Sequence, residues 1–223
     1  MEQSPSARSD DLTELSLFPL NVVLFPGMHL PLHIFEERYK AMVRTCLDRD
    51  EPFRVVLIKE GQEVGTPAEP FRVGTTARIA RMEPLEEGRM NILTLGERRF
   101  QLAEITQRLP HLVGLVQYLE EEPGGDPAQV VGQISENYAT FLRNLAGLAG
   151  GWAAQVDVPH DPVRLSFAVA STTDLPPDIR QQLLETPTAQ ERLERLLPLL
   201  QRANEILQQE LVKRNPFQGP RLN

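Results

Sequence analysis

The lysines are the first residues in this sequence that could carry chemistry, because both a phosphate-binding loop and a serine/lysine peptidase need one in a defined place. A P-loop has the pattern GxxxxGK[ST], with glycine directly before the lysine that reaches the phosphates. The chain has three lysines, Lys40, Lys59 and Lys213, which follow tyrosine, isoleucine and valine. The sequence therefore contains no P-loop. None of the three lies in an apolar context beside a serine, so serine/lysine catalysis is not favoured either.

The four histidines do not form a metal-binding pattern. His29, His33, His111 and His160 are scattered, and no HExxH sequence is present. His29 and His33 are four residues apart but lie in a proline-broken β region rather than on one face of a helix. Such imidazoles are more typical of surface and capping positions than of metal sites. We therefore predict no metal and no cofactor.

Other catalytic patterns are missing as well. The chain has no GxSxG nucleophile elbow. The acidic runs Glu86-Glu87 and Glu120–Glu122 lie at predicted turns, where a solvated surface is favoured over an acid/base pair. We therefore predict that this chain is not an enzyme.

Six arginines between residues 72 and 99 are the main cationic cluster. They are Arg72, Arg78, Arg81, Arg89, Arg98 and Arg99. A basic patch of this kind could bind nucleic acid, but the net charge of the chain is −8, which gives phosphate binding no general help. We favour the alternative that these arginines pair with neighbouring glutamates on the surface.

Composition places the chain in a reducing compartment. Of the 223 residues, 41% are hydrophobic, and no run approaches the ~18 consecutive apolar residues of a membrane span. The first 14 residues are polar and acidic, unlike a secretory signal. The single cysteine, Cys46, cannot form an intramolecular disulfide. We expect a cytoplasmic protein with no membrane association.

The elements that would position any site begin with the apolar run FPLNVVLFPGMHLPLHIF at residues 18–35. Its prolines interrupt both periodicities, which predicts two short strands, 15–24 and 28–34, joined by a turn at Pro26-Gly27. From Phe35 the apolar spacing becomes three and four, which predicts an amphipathic helix over 35–50 with Cys46 on its buried side. Phe35 itself is expected to begin that buried face.

The rest of the chain is predicted to form β-strands first and α-helices after them. Strands are predicted at FRVVLI, FRVGTTARIARM, RMNILTL, RRFQLAEI and HLVGLVQYL, as in an antiparallel barrel or sandwich. EEEPGGDP at 120–127 has the composition of a hinge. Beyond it, helices are predicted to start at Asp126-Pro127, Asp161-Pro162, Pro176-Pro177 and the Thr188/Glu191 capping box.

Several long segments together resemble one family. LSLFPLNVVLFPGMHLPLHIFEERYKAMVRTCL, VGTTARIARMEPLEEGRMNILTLGERRFQL and DLPPDIRQQLLETPTAQERLERLLPLLQ closely resemble the Lon protease N-terminal (substrate-binding) domain family. The resemblance extends from about residue 15 to residue 212. The chain ends at Asn223, before the ATPase and Ser/Lys peptidase regions of a complete Lon protease would begin. We therefore expect a free-standing bacterial member that lacks both regions.

The resemblance implies an α+β fold with an N-terminal PUA-like antiparallel β-barrel, a packed helix and a C-terminal helical bundle. The expected organisation is a disordered lead-in at 1–14, the barrel subdomain at 15–120, the helical subdomain at 121–215 and a flexible tail at 216–223.

The function implied by the resemblance is non-catalytic binding of protein or peptide, as in an adaptor for protein quality control or proteolysis. Its partners would be unfolded or partly folded polypeptides and a separate protease. We assign the contact surface to the exposed side of the first helix and the neighbouring turn. The predicted peptide-binding residues are Met28, His29, Leu30, Glu36, Glu37, Lys40 and Arg44. For Met28 and Leu30, ordinary packing in the core is the alternative that burial tendencies favour.

Two other functions stay open at this point. PUA-like barrels of other families bind RNA, although the acidic balance of this chain argues against nucleic acid. A small-molecule enzyme could instead use a cleft between barrel and bundle.

Overall fold

The structure, a computed structural model, describes residues 12–63, 68–151 and 155–214. Within these ranges the chain forms six β-strands and five α-helices and is of the α+β class. The strands are β1 (Thr13–Leu20), β2 (His29–Ile34), β3 (Phe53–Glu60), β4 (Glu69–Pro84), β5 (Met90–Gln107) and β6 (Leu112–Tyr118). The helices are α1 (Glu37–Arg49), α2 (Ala128–Leu148), α3 (Pro162–Thr172), α4 (Pro177–Glu185) and α5 (Ala189–Arg214).

The predicted lead-in and tail fall mainly outside the described residues. The exception is the end of the lead-in, because Thr13 and Glu14 already belong to β1 and pair with Val116 and Leu115. The prediction is wrong for these two residues. These two residues are polar, so the pattern of apolar residues does not predict a strand there. They are ordered because their main chain pairs with β6.

The six strands form one mixed sheet in the order β2-β5-β4-β3-β1-β6, and β6 also pairs with β5. The hydrogen-bonded pairs β5–β4, β4–β3, β3–β1, β1–β6 and β6–β5 therefore make a closed circuit, to which β2 is added at β5. The prediction of an antiparallel sheet is wrong for one pair, since β1 and β3 run parallel, with Leu17 opposite Arg54. Helix α1 lies in the connection between them, and parallel neighbours need a long crossover of this kind.

Strand β5 is continuous over 18 residues where the sequence predicts two strands separated at Leu95–Glu97. Gly96 does not form a turn there. A Cβ atom on Gly96 would lie 2.3 Å from the carbonyl oxygen of Phe25, so the glycine permits a close backbone approach. Register shifts in the β4–β5 pairing show bulges, which bend a strand without ending it.

Helix α1 carries the buried face that its spacing predicts, except at its start. Tyr39, Met42, Val43 and Cys46 are buried in the core cluster of the sheet. Phe35 precedes the helix and is 49% exposed, so the prediction that it begins the buried face is wrong. The helix begins at Glu37, and the residue before it, Glu36, has an extended rather than a helical backbone.

The described residues form two compact units. The first contains the residues up to Glu120 together with Pro176–Glu185, and the second contains Glu121–Leu175 and the residues from Thr186 onward. Helix α4 thus belongs to the first unit, although the predicted helical range 121–215 includes it. No helix within the described ranges combines the length and the apolar character that crossing a membrane requires.

Polar contacts fasten α4 to the sheet of the first unit. Gln181 Nε2 donates to the carbonyl oxygen of Val73 at 3.0 Å. The buried Arg99 donates through Nη1 to the carbonyl oxygen of Leu184 at 2.6 Å, at the end of the helix where the macrodipole favours a cation. These contacts explain why nine residues far along the chain pack with the strands.

Helices α3 and α5 of the second unit begin at the predicted signals, whereas α2 begins one residue later than predicted, with Pro127 at the N-cap position and no side-chain cap. The Asp161 carboxylate accepts from the Arg164 N–H at 2.8 Å, and Thr188 Oγ1 accepts from the Glu191 N–H at 3.3 Å. Both contacts satisfy N–H groups that the first turn of a helix leaves without intrahelical partners.

Helices α2 and α5 run parallel, since contacts join their starts and their ends. Near the ends, Arg214 donates to the carbonyl oxygen of Leu148 at 2.9 Å. Between them lies the buried Asn204, whose Nδ2 donates to the carbonyl oxygen of Asn137 at 2.9 Å and whose Oδ1 accepts from Asn144 at 3.1 Å. A buried amide that both donates and accepts between two packed helices fixes their register.

Arg192 of α5 is a buried cation at the centre of the second unit, with 0% of its surface exposed. Its Nη1 donates to Ser166 Oγ at 2.6 Å and its Nη2 to the carbonyl oxygen of Thr186 at 2.9 Å. The guanidinium lies 4.0 Å from the centre of the Phe167 ring and 3.8 Å from the Glu121 carboxylate. These partners offset the cost of removing the charge from water.

We expect Arg192→Ala to lower the free energy of unfolding by about 3 kcal/mol, because it leaves buried polar groups without a donor and opens a cavity. Urea denaturation followed by far-UV circular dichroism measures the change. The matched control is Arg202→Ala, which removes an arginine from the same helix that is 69% exposed and pairs with Glu205. That variant should lose less than about 0.5 kcal/mol, and equal losses in the two variants would contradict the role of Arg192.

Candidate functional site

The described residues contain no group of three or more histidine, cysteine, aspartate or glutamate side chains placed to hold a metal ion. His29 and His33 lie on β2, His111 precedes β6 and His160 precedes α3. His111 Nε2 lies 3.1 Å from Ser16 Oγ, and burial lowers the pKa of its imidazole. This histidine is therefore part of the packing between β1 and β6.

Acidic partners neutralise several arginines of the predicted cationic cluster. Arg78 Nε lies 2.5 Å from Glu97 Oε1, and Arg98 Nη2 lies 3.6 Å from Glu120 Oε1. The Glu97 carboxylate raises the pKa of Arg78 by hydrogen bonding. The prediction that surface arginines pair with glutamates is confirmed at both positions.

The seven predicted peptide-binding residues do not share one exposed surface. His29, Glu37 and Arg44 are exposed. Leu30 is only 8% exposed and belongs to the core, and Met28 packs against the same core. The placement of Leu30 in a turn is wrong, because β2 starts at His29, and the alternative of core packing holds for Leu30, since alternation turns its side chain inward.

Lys40 does not lie on the exposed side of α1, since only 5% of its surface is accessible. Its Nζ donates to Glu37 Oε1 at 2.7 Å and to the carbonyl oxygen of Glu87 at 2.8 Å. Arg44 reaches the same turn, where its Nη2 would lie 2.8 Å from a Cβ on Gly88. The placement of Lys40 on an exposed face is wrong because helical spacing does not reveal that the β4–β5 turn covers this part of α1.

Glu36 also makes a contact within the fold. The Arg38 Nε atom donates to Glu36 Oε2 at 3.0 Å, and Arg38 Nη2 donates to the carbonyl oxygen of Glu63 at 3.2 Å. The Arg38 guanidinium lies 4.5 Å from the centre of the Tyr39 ring, and burial raises the pKa of Tyr39 to about 12. Glu36 thus helps to hold Arg38 against the start of the helix.

Strand β2 presents a free edge, because among the described strands it pairs only with β5. The Met28 carbonyl oxygen accepts from the Gly96 N–H at 2.9 Å. Hydrogen-bonded positions alternate along an antiparallel pair. The main-chain groups of His29, Pro31 and His33 therefore point away from β5, and their side chains are exposed.

An aromatic pair continues this edge. The His33 ring stacks on the exposed ring of Phe35, with their centres 6.0 Å apart. His33 Nδ1 lies 2.8 Å from Asn91 Oδ1 of the neighbouring strand, which holds the imidazole in place. We name the edge formed by His29, Pro31, His33 and Phe35 the β2 edge site.

Of the predicted residues, only His29 belongs to the β2 edge site. Sequence reasoning missed Pro31, His33 and Phe35. Two signals could have found them: proline within a strand favours an edge position, and an aromatic residue directly before a helix start need not belong to the helical face. The site offers main-chain hydrogen bonds and an apolar ring, which are the contacts that an extended polypeptide segment uses.

Comparison with protein families gives one match over most of the chain. The model of the ATP-dependent protease La (LON) substrate-binding domain matches residues 14–202. The Lon protease of Anaeromyxobacter dehalogenans is 29% identical over 204 residues, which cover 86% of this chain and 24% of that protein. The Lon protease of Roseiflexus castenholzii is 30% identical over 215 residues, with 91% and 26% covered. The chain thus spans about a quarter of the length of these relatives.

Solved structures are similar over nearly their whole length. The Lon N-terminal domain protein of Xanthomonas campestris is 27% identical, with a TM-score of 0.62, and the match covers 83% of this chain and 98% of that one. The N-terminal domain of the Mycobacterium avium complex Lon protease shares the fold, with a TM-score of 0.63, 19% identity and coverage of 85% and 98%.

The contact between Lys40 and Glu37 should make stability depend on pH. The ammonium of Lys40 lowers the pKa of Glu37 below its ordinary value of 4.5, chiefly through the hydrogen bond. A lowered pKa in the folded state adds stability above the unfolded pKa, and this stability is lost as the pH falls through the folded pKa. We expect Glu37→Gln to be less stable than the parent at pH 7, with the difference shrinking as the pH falls below 4.5.

Urea denaturation of both proteins at a series of pH values measures this difference. Glu51→Gln is the control, because it removes an exposed carboxylate just beyond α1. A difference between parent and Glu37→Gln that stays constant from pH 7 to pH 3 would contradict the contribution of this contact.

Proposed function

The chain belongs to the ATP-dependent protease La (Lon) substrate-binding domain family, and on this premise we propose that it is a non-catalytic module that binds unfolded or partly folded polypeptides. The observation that carries the proposal is the free, exposed edge of β2. An extended segment of a client would add to this edge as a further strand. Its main chain would supply affinity that is largely independent of sequence, as binding of many clients requires.

The β2 edge site suits this task in its details. His29 and His33 offer both N–H and C=O groups, whereas Pro31 offers only its carbonyl. A proline in the middle of an edge also limits pairing between copies of the same protein. The site would therefore accept a client strand while resisting uncontrolled self-association.

Phe35 would supply the apolar part of the contact. Its ring is half exposed at the end of the strand, where it could cover an apolar client side chain. Aromatic residues of this kind contribute a large share of binding energy at interfaces. Unfolded segments expose both unpaired main chain and apolar side chains, so the site matches what distinguishes them from folded proteins.

The biological role that fits this activity is that of an adaptor in cytoplasmic protein quality control or proteolysis, working with a separate protease. The relatives named above are Lon proteases, and the matched region is their substrate-binding domain. We further propose that the closed circuit of strands is a PUA-like β-barrel and that α2, α3 and α5 form a helical bundle. The subdomain ranges of this proposal are those predicted, 15–120 and 121–215, with Thr13, Glu14 and α4 assigned to the first.

Binding to a permanently unfolded client tests the proposed function. Reduced, carboxymethylated α-lactalbumin carrying a fluorescent label should show saturable binding by fluorescence anisotropy. Native α-lactalbumin should compete poorly with it. Absence of saturable binding by the unfolded form, or equal competition by the native form, would contradict the proposal.

Removing one outward N–H group should weaken this binding. We expect His33→Pro to bind the unfolded client about fivefold more weakly than His33→Ala, because one hydrogen bond contributes about 1 kcal/mol. The comparison isolates the main-chain donor, since both variants lack the imidazole. Thermal unfolding of both variants serves as the control for folding, and equal affinities in two folded variants would exclude strand addition at this position.

Removing the exposed ring of Phe35 should also weaken binding of the unfolded client. We expect Phe35→Ser to lower affinity for the unfolded client about tenfold, the typical loss for a central aromatic contact. Leu109→Ser is the matched control, because Leu109 is 68% exposed and lies in the loop between β5 and β6. A similar loss in both variants would indicate non-specific apolar contact rather than binding at the β2 edge site.

A further inference from the structure

A groove in the second unit lies along the first turns of the parallel helices α2 and α5. Its volume is about 240 Å³. Six of the residues that line it are Asp126, Gln129, Val130, Gln133, Glu194 and Leu197. A single water occupies about 30 Å³ of the liquid, so the groove has room for one long side chain.

The charge of the groove is negative. Asp126 and Glu194 contribute two carboxylates, and no lysine or arginine is among its lining residues. The N-termini of α2 and α5 each contribute roughly half a positive charge, which leaves a net charge of about −1. The described residues of the second unit share this sign, since they have eleven acidic and seven basic side chains.

Local contacts hold both carboxylates in place. Gln190 Nε2 donates to Glu194 Oε1 at 3.0 Å, and Gln190 Oε1 accepts from the Asp126 N–H at 3.1 Å. Asp126 Oδ1 lies 3.4 Å from the Ala128 N–H. Gln190 thus joins the two acidic residues across the groove before any ligand arrives, which reduces the ordering cost of binding.

The floor of the groove is apolar. Val130 is buried and Leu197 is half-buried, and both lie between the polar side chains of the two helices. A long cationic side chain needs this combination, because its methylene stem packs on apolar surface while its charged head meets carboxylates. A metal ion would instead need at least three clustered ligands, and no such group occurs among the residues that the structure describes.

We propose that this groove binds a lysine or arginine side chain of a client polypeptide. The inference rests on the proposed function and extends it, since it adds a preference for basic residues to the sequence-independent contact at the β2 edge site. Strand addition holds the main chain of a client, and the groove selects among side chains. The two contacts lie in different units and are separable by mutation.

A titration with amino-acid derivatives tests the groove without a client. Nα-acetyl-arginine amide is added to the full chain, and the side-chain amide NMR signals of Gln129, Gln133 and Gln190 are followed. Saturable shifts of these signals are the expected result. Nα-acetyl-norleucine amide, which keeps the stem and lacks the charge, should give none, and shifts with both derivatives or with neither would overturn the proposal.

Isosteric variants test the role of charge. Asp126→Asn keeps an oxygen that can accept from the Ala128 N–H, and Glu194→Gln keeps an oxygen that can accept from Gln190. Each should weaken binding of the arginine derivative about twofold, as expected for one exposed ion pair. Glu191→Gln is the matched control, because it removes the same charge from the same helix outside the groove and should leave binding unchanged. Equal effects of all three substitutions would overturn the proposal.

A client experiment separates this inference from the proposed function. Unfolded, carboxymethylated α-lactalbumin is compared before and after acetylation of its lysines. We expect acetylation to weaken binding to the parent protein. We expect no such difference between the two client forms for the Asp126→Asn/Glu194→Gln double variant. Equal binding of both forms would overturn the role of the groove in client selection while leaving the β2 edge site intact, and absence of any client binding would overturn the proposed function instead.

Discussion

Strand β5 is the element on which the first unit depends, because main-chain groups that leave water must find partners. It pairs with β2, β4 and β6 along its 18 residues. Bulges and the close approach at Gly96 allow it to bend through these neighbours without ending. Since β5 is shared in this way, β2 can be held firmly along one side and still leave its other side free.

Helix α1 keeps the strand at that free edge ordered. The inward side chains of β2, Leu30 and Ile34, belong to the same core cluster as Met42 and Val43 of the helix. Lys40 fastens the helix to the β4–β5 turn through the carbonyl oxygen of Glu87. Because β2 is already held by both β5 and α1, it loses little conformational freedom when a partner strand binds. Binding there therefore costs little entropy.

Periodicity and capping chemistry predict most of the elements and the apolar face of α1, but they do not predict which polar positions are covered by segments far away in the chain. The Asp161 and Thr188 signals start helices where expected, because caps are local. Lys40 is buried by a turn 47 residues away, and no local pattern encodes that contact. The same holds for the parallel pairing of β1 with β3 and for α4, whose packing on the strands depends on Arg99 and Gln181. The sequence predicts part of the β2 edge site, namely His29 and a strand interrupted by proline. It does not predict that alternate main-chain groups of this strand point away from the sheet.

The two proposed contacts, the β2 edge site and the groove of the second unit, are of different physical kinds. Main-chain hydrogen bonds at β2 would not depend on the side chains of a client, so they would favour any unfolded segment. A carboxylate-lined groove responds to side-chain charge and is weakened by salt, because its ion pairs are near the surface. Affinity for the unfolded state and preference among unfolded chains can therefore be adjusted separately, since a substitution in α5 that alters the charge of the groove leaves the hydrogen-bonding positions of β2 unchanged.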